Sequence, residues 1–103
     1  MSLLETLRTR FAAALGRLAP AEDLPALLDM IRPAQNPQFG DYQANCAMVL
    51  GNKTKRPPRE IAQELVAAVD LADLCEPPEI AGPGFVNLRL RREALAERLS
   101  AMQ

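Results

Sequence analysis

Glu79-Ile80-Ala81-Gly82-Pro83-Gly84-Phe85-Val86-Asn87-Leu88-Arg89-Leu90 decides the fold. Two short apolar-rich runs flank a Gly-Pro-Gly turn, and this is the pattern of a β-hairpin. Side chains alternate across a strand with a period of two. Val86, Leu88 and Leu90 therefore share a core face, while Phe85, Asn87 and Arg89 stand in a row on the opposite, outward face. The first arm is read from Pro77 to Ala81. Gly82 and Gly84 serve the turn, because glycine reaches positive φ at little cost.

Working outward, Lys53-Thr54-Lys55-Arg56-Pro57-Pro58-Arg59 carries four basic residues in seven positions and leads into a helix. Prolines at its first turn and Glu60 near its positive end suit that start, and Ile61, Leu65 and Val69 form its buried stripe. Further back, Asn36-Pro37-Gln38-Phe39-Gly40-Asp41 is turn chemistry, with Gly40 in the turn and Asp41 as the expected N-cap of a helix from Tyr42 to about Leu50, closed by Gly51-Asn52. Leu27 to Ile31, bounded by Pro25 and Pro33, is expected to form a short strand. Ser2-Leu3-Leu4-Glu5 fits a capping box. Leu4, Leu7, Phe11, Leu15 and Leu18 then recur at helical spacing, predicting a helix from Ser2 to Leu18 ended by Pro20. A last helical pattern runs from Arg91 to Gln103, with Leu95, Leu99 and Met102 in line.

The chain has 103 residues, the size of one domain; it is 49% hydrophobic and 24% charged, enough to bury a core. With aromatics at 4% and no Trp, that core must be aliphatic. There is no histidine, which removes Ser-His and Cys-His nucleophile pairs, imidazole bases and His-ligated metal. No metal site is expected. Cys46 and Cys75 show no C-x-x-C spacing and read as buried free thiols. Neither a membrane-spanning run nor a signal peptide is evident, so a cytoplasmic location is expected. Thirteen acids against twelve bases give a net charge of -1, which argues against tight autonomous binding to nucleic acid.

Catalytic candidates are thin. Asp41 beside Tyr42 offers an acid and a phenol, but an Asp before a helix is ordinarily a cap. Gly82-Pro83-Gly84 joins two strands rather than opening a helix, so it lacks the amides and dipole that hold a phosphate. The outward row is more informative. Single-stranded RNA is read by stacking a base on an aromatic ring, bonding its edge to an amide and pairing phosphate with arginine. Phe85, Asn87 and Arg89 supply those three functions, with Lys53, Lys55, Arg56 and Arg59 as further candidate phosphate contacts.

Three blocks carry a family resemblance: Gln38-Phe39-Gly40-Asp41-Tyr42-Gln43-Ala44-Asn45, then Pro58-Arg59-Glu60-Ile61-Ala62, then Glu79 through Asn87. In this order and spacing they resemble the N-terminal additional domain of arginyl-tRNA synthetases. The resemblance implies an α+β domain over 1–103 in two layers, with helices on a small antiparallel sheet of about four strands, and with 91–103 starting the connector to a catalytic domain missing from the chain. It implies contact with the D-loop at the outer corner of tRNA(Arg), where Phe85 and Asn87 match the base-reading positions. It also implies a parent ATP-dependent arginine–tRNA ligase whose catalytic domain is a partner. The His-Ile-Gly-His-type and Lys-Met-Ser-Lys-type signatures of the family's catalytic core are missing here, so no aminoacylation and no cofactor are expected of this chain alone, ATP belonging to the parent's catalytic domain. The competing expectation is a protein-docking domain that uses the Phe85 face and the terminal helix; the acidic pI of 5.4 favours it, whereas the amide and arginine beside the ring favour RNA.

Overall fold

In the computed structural model, which describes residues 2–93, four short segments of three or four residues meet in one antiparallel sheet, successive side chains pointing to opposite faces. The strands are β1 (Ile31–Pro33), β2 (Tyr42–Ala44), β3 (Glu79–Ala81) and β4 (Phe85–Leu88), in the order β1-β2-β4-β3. The hairpin is therefore formed as expected, with β4 in the interior of the sheet and β3 at its edge. Register pairs Ile31 with Ala44, Ala44 with Val86, and Ile80 with Val86. These four residues make the apolar row that faces the helices.

Helices α1 (Leu3–Leu15), α2 (Leu24–Leu28), α3 (Cys46–Thr54) and α4 (Pro58–Ala68) supply the other layer. Leu7, Phe11 and Leu15 of α1 and Ile61 and Leu65 of α4 are buried with Val86 and Leu88 in one cluster. The architecture is thus the expected α+β arrangement. Burying each large aliphatic side chain is worth about 1.5–3 kcal/mol, which makes this shared cluster the main source of cohesion between the layers. Ser2 and Glu5 form the expected capping box: the Glu5 N–H donates to Ser2 Oγ at 3.1 Å, and the Ser2 N–H to Glu5 Oε2 at 3.2 Å.

Several boundaries differ from expectation. Helix α1 stops at Leu15 rather than Leu18, with Gly16 as its C-cap and a turn beyond. The strand expected over 27–31 is instead the end of α2, and pairing begins only at Ile31. Pro25 lies at the start of α2, where its missing N–H costs nothing, and Pro33 is tolerated because β1 is an edge strand. The helix expected from Tyr42 does not start there. Residues Tyr42–Ala44 are strand β2, and α3 begins at Cys46 with Asn45 at the N-cap position. Nor does α3 close at Gly51-Asn52: it continues to Thr54, and Lys55 ends it in the left-handed conformation at φ 57°. The β3 arm is three residues rather than the five from Pro77, and Leu90 lies past β4, forming a single bridge with Cys75. The helix expected over 91–103 lies, beyond Glu93, outside the described residues.

Candidate nucleic-acid interface

The face of the sheet turned away from the helices is built from the residues that alternate with the core row. Register aligns Arg32 with Gln43, Gln43 with Asn87, and Asn87 with Glu79. A polar row therefore crosses all four strands. Phe85 lies on the same face two residues before Asn87, paired with Ala81. The alternation correctly places Phe85 and Asn87 together on this face and Val86 and Leu88 in the core.

Exposure is where the structure corrects the sequence reading. Phe85 is half-buried, its ring lying beside the turn so that a Cβ at Gly82 would come within 3.3 Å of it. Asn87 is only 6% exposed, although it faces outward. Its neighbours on β2 and β3 stand close on both sides, as they must about an inner strand where strands lie ~4.8 Å apart. The Gln43 Nε2 donates to Asn87 Oδ1 at 2.9 Å. Asn87 Nδ2 has no partner among the described residues and is not among their shielded, unpaired polar atoms, so it keeps the residue's remaining access to solvent. Leu90 is partly rather than fully buried.

Two loops hold this face in place. The Asp41 N–H donates to the Leu88 carbonyl at 2.8 Å, and the Asp41 carboxylate accepts from the Leu90 N–H at 2.8 Å. Asp41 is therefore a clasp between the β1–β2 loop and the end of β4, and not the helix cap expected of it. Gly40 just before it has φ 92°, and a Cβ there would lie 2.5 Å from the Leu88 oxygen. At the hairpin turn, Gly84 backs onto Pro58, 2.8 Å from where its Cβ would be, and Arg59 donates to the Gly82 carbonyl at 2.8 Å. Pro83 completes the turn between them. With its glycines committed to this packing and no helix following, the turn does not fit a nucleotide phosphate.

The expected basic run is largely engaged within the protein. Lys53 pairs with Asp23 at 3.1 Å, Arg56 bonds both Glu60 and Glu64, and Arg59 is the turn clamp. Lys55 is exposed. Arg89 is exposed and reaches the Gln38 carbonyl at 3.1 Å. The sequence reading missed Arg32, whose Nε donates to the Asp29 carbonyl at 2.7 Å, and Phe39, exposed at 40%. Together with Gln43 and Asn45 these two line a shallow hollow of about 210 Å³. It also missed Gln43, because a helix assigned from Tyr42 gives no strand partner; the polar–apolar alternation of Gln43, Ala44 and Asn45 was the available signal.

The two cysteines are structural. Burial pushes the Cys46 thiol up to about 11; it does the same to Cys75, with the Asp41 and Asp73 charges adding to it. No helix among the described residues is long and apolar enough to cross a membrane.

Residues 5–90 match the family described as "Arginyl tRNA synthetase N terminal domain". An arginine–tRNA ligase of Cutibacterium acnes is 59% identical over 66 residues, covering 64% of this chain and 12% of the relative. The arginine–tRNA ligase of Picosynechococcus sp. is 47% identical over 102 residues, 99% of this chain and 17% of the relative, and that of Synechocystis sp. is 43% identical over 103 residues, 100% and 18%. The chain thus spans less than a fifth of the length of these relatives. The family match over residues 5–90, and the near-complete coverage of this chain by two of these relatives, mean that the chain belongs to the arginyl-tRNA synthetase N-terminal domain family.

Proposed function

We propose that this domain binds the D-loop at the outer corner of tRNA(Arg) and serves as the accessory RNA-binding part of an ATP-dependent arginine–tRNA ligase in the cytoplasm, next to that enzyme's catalytic domain. The observation that carries the reading is the outward face of β4. A half-buried ring, Phe85, fixed beside the hairpin turn, stands two residues from an amide, Asn87, that is aligned by Gln43 and keeps one free donor. A ring held in place offers a stacking surface without the entropy cost of ordering it, and an amide beside it reads a base edge. Arg89, Arg32, Lys55 and the part of Arg59 not spent on the turn supply positive charge for phosphate. Lys53 and Arg56 contribute less, since their carboxylate partners already neutralise them. The matched relatives are arginine–tRNA ligases, which agrees with a tRNA ligand.

The test is tRNA binding by Phe85→Ala and Asn87→Ala, with a melting curve for each. Loss of the ring is expected to weaken binding by about 1–3 kcal/mol. Asn87→Ala weakens it less but relaxes the choice of D-loop base. A large fall in melting temperature for Phe85→Ala with unchanged tRNA binding refutes the proposal and makes the Phe85 face a protein-docking surface.

A further inference from the structure

We infer that Gln43 is a positioning residue that fixes the amide of Asn87 with its donor end toward the RNA. The inference rests on the D-loop reading above. An asparagine side chain has two ends of nearly equal shape and opposite hydrogen-bonding sense, so a free Asn87 would read acceptor and donor atoms alike. The structure removes that ambiguity. Gln43 Nε2 donates to Asn87 Oδ1, so the oxygen is directed at β2 and Nδ2 is turned away from it.

Arg32, Gln43, Asn87 and Glu79 follow one another in register across the sheet; Arg32 Nε donates to the Asp29 carbonyl at 2.7 Å, and the contact that sets the sense of the Asn87 amide is the bond from Gln43. With Asn87 only 6% exposed, the cost of turning the amide over against this alignment falls on a nearly water-free group. The base atom facing Asn87 is therefore an acceptor.

The experiment titrates the 103-residue chain with four tRNA(Arg) transcripts. They carry A, C, G and U in turn at the D-loop position whose change weakens wild-type binding most. Gln43→Glu replaces the donor with a carboxylate that accepts from Asn87 Nδ2, so Asn87 turns over and presents Oδ1. The base favoured by the wild type is expected to lose about five- to thirtyfold in affinity as an acceptor then meets an acceptor, and the rank order of the four bases changes. Gln43→Ala is expected to narrow the spread among the bases in the wild-type background and to do nothing to it in Asn87→Ala. A purely structural role for Gln43 would lower the melting temperature of both backgrounds equally and leave the rank order untouched, and that result overturns the inference. So does an equal effect of Gln43→Ala with and without Asn87. If Asn87→Ala itself leaves the base preference intact, the D-loop reading fails first. Should Gln43→Glu not fold, the Gln43→Ala comparison in the two backgrounds still decides.

Discussion

Replacing Gly40 by alanine tests whether the loop before β2 is what holds the outward face in register. At φ 92° a non-glycine residue is strained, at about 1–3 kcal/mol. The added Cβ would lie 2.5 Å from the Leu88 oxygen, 3.0 Å from the Leu88 carbonyl carbon and 3.3 Å from Arg89 Cγ. The first two contacts are backbone, which cannot swing aside, so relief requires parting the loop from β4. Overpacking of that kind costs a further ~1–3 kcal/mol. The total of about 2–6 kcal/mol is a large share of the ~5–15 kcal/mol that stabilises a domain of this size, and it corresponds to a fall of at least ~8 °C in melting temperature. The carbonyl involved is also the acceptor for the Asp41 N–H, one step from the Tyr42–Leu88 and Gln43–Asn87 pairs. Whatever fraction remains folded is therefore expected to bind tRNA more weakly. The matched control is Gly16→Ala, at φ -60° with its nearest contact 3.3 Å from the Ala12 oxygen, where a change within about 0.5 kcal/mol is expected. Differential scanning fluorimetry on both variants reads the difference. A Gly40→Ala protein that melts within ~2 °C of wild type refutes the reasoning, because the loop would then be yielding where the geometry says it cannot.

Further outcomes follow from the same contacts. With Lys53 and Arg56 held by carboxylates, tRNA binding is expected to depend on only two or three phosphate contacts, giving a log–log salt slope of about -2 to -3; a slope steeper than about -5 in a filter-binding titration contradicts this. Asp23→Ala, which frees Lys53, is expected to steepen that slope by up to about one unit. Both thiols, raised from 9.0 to about 11, stay protonated in the folded state at pH values where the unfolded chain has ionised, so stability is full below pH 9 and falls as pH rises from 9 through 11. Denaturant melts across that range and a slow reaction with Ellman's reagent at pH 8 check it. No arginine-dependent ATP–pyrophosphate exchange is expected of the 103-residue chain, and exchange that survives repurification would overturn the accessory role.

What was legible in the sequence were the features governed by one period or one cap. The capping box of α1 needs only Ser2 and Glu5 at the right spacing, and the hairpin needs only a turn between two alternating runs. The failures share a different cause, which is that local signals were outvoted by pairing partners far along the chain. Asp41 is a good N-cap by residue type, yet its carboxylate has a better use 49 residues away at the Leu90 N–H. Tyr42–Ala44 is too short to announce itself as a strand, and it becomes one because β4 offers an inner edge to pair with. The basic run looked free because its partners lie elsewhere: Asp23 is thirty positions upstream, and Glu64 comes within reach only once α4 has made two turns.

Asn87 shows where the limit falls. Alternation fixes the face a side chain points to, and it did so correctly for Phe85, Val86, Asn87 and Leu88. It does not fix exposure, which depends on how many strands lie beside the residue and on what those strands carry. An edge strand would have left Asn87 open to water as a rotating amide. Placing β4 between β2 and β3 puts Gln43 on one side and Glu79 on the other, so that the same residue becomes a nearly buried, oriented donor. Removing it is therefore not neutral for folding, as an exposed position would be. Asn87→Ala is expected to cost about 1 kcal/mol from the lost Gln43 bond, and the cost stays small because the Gln43 amide, half-exposed, can turn to water. Asn87→Leu keeps the branched shape but is bulkier and leaves Gln43 Nε2 facing a methyl group, and it is expected to cost more than Asn87→Ala by chemical denaturation. If the two variants melt alike, water already reaches the pair, and the donor at Asn87 is not held in the direction the Gln43 bond assigns to it.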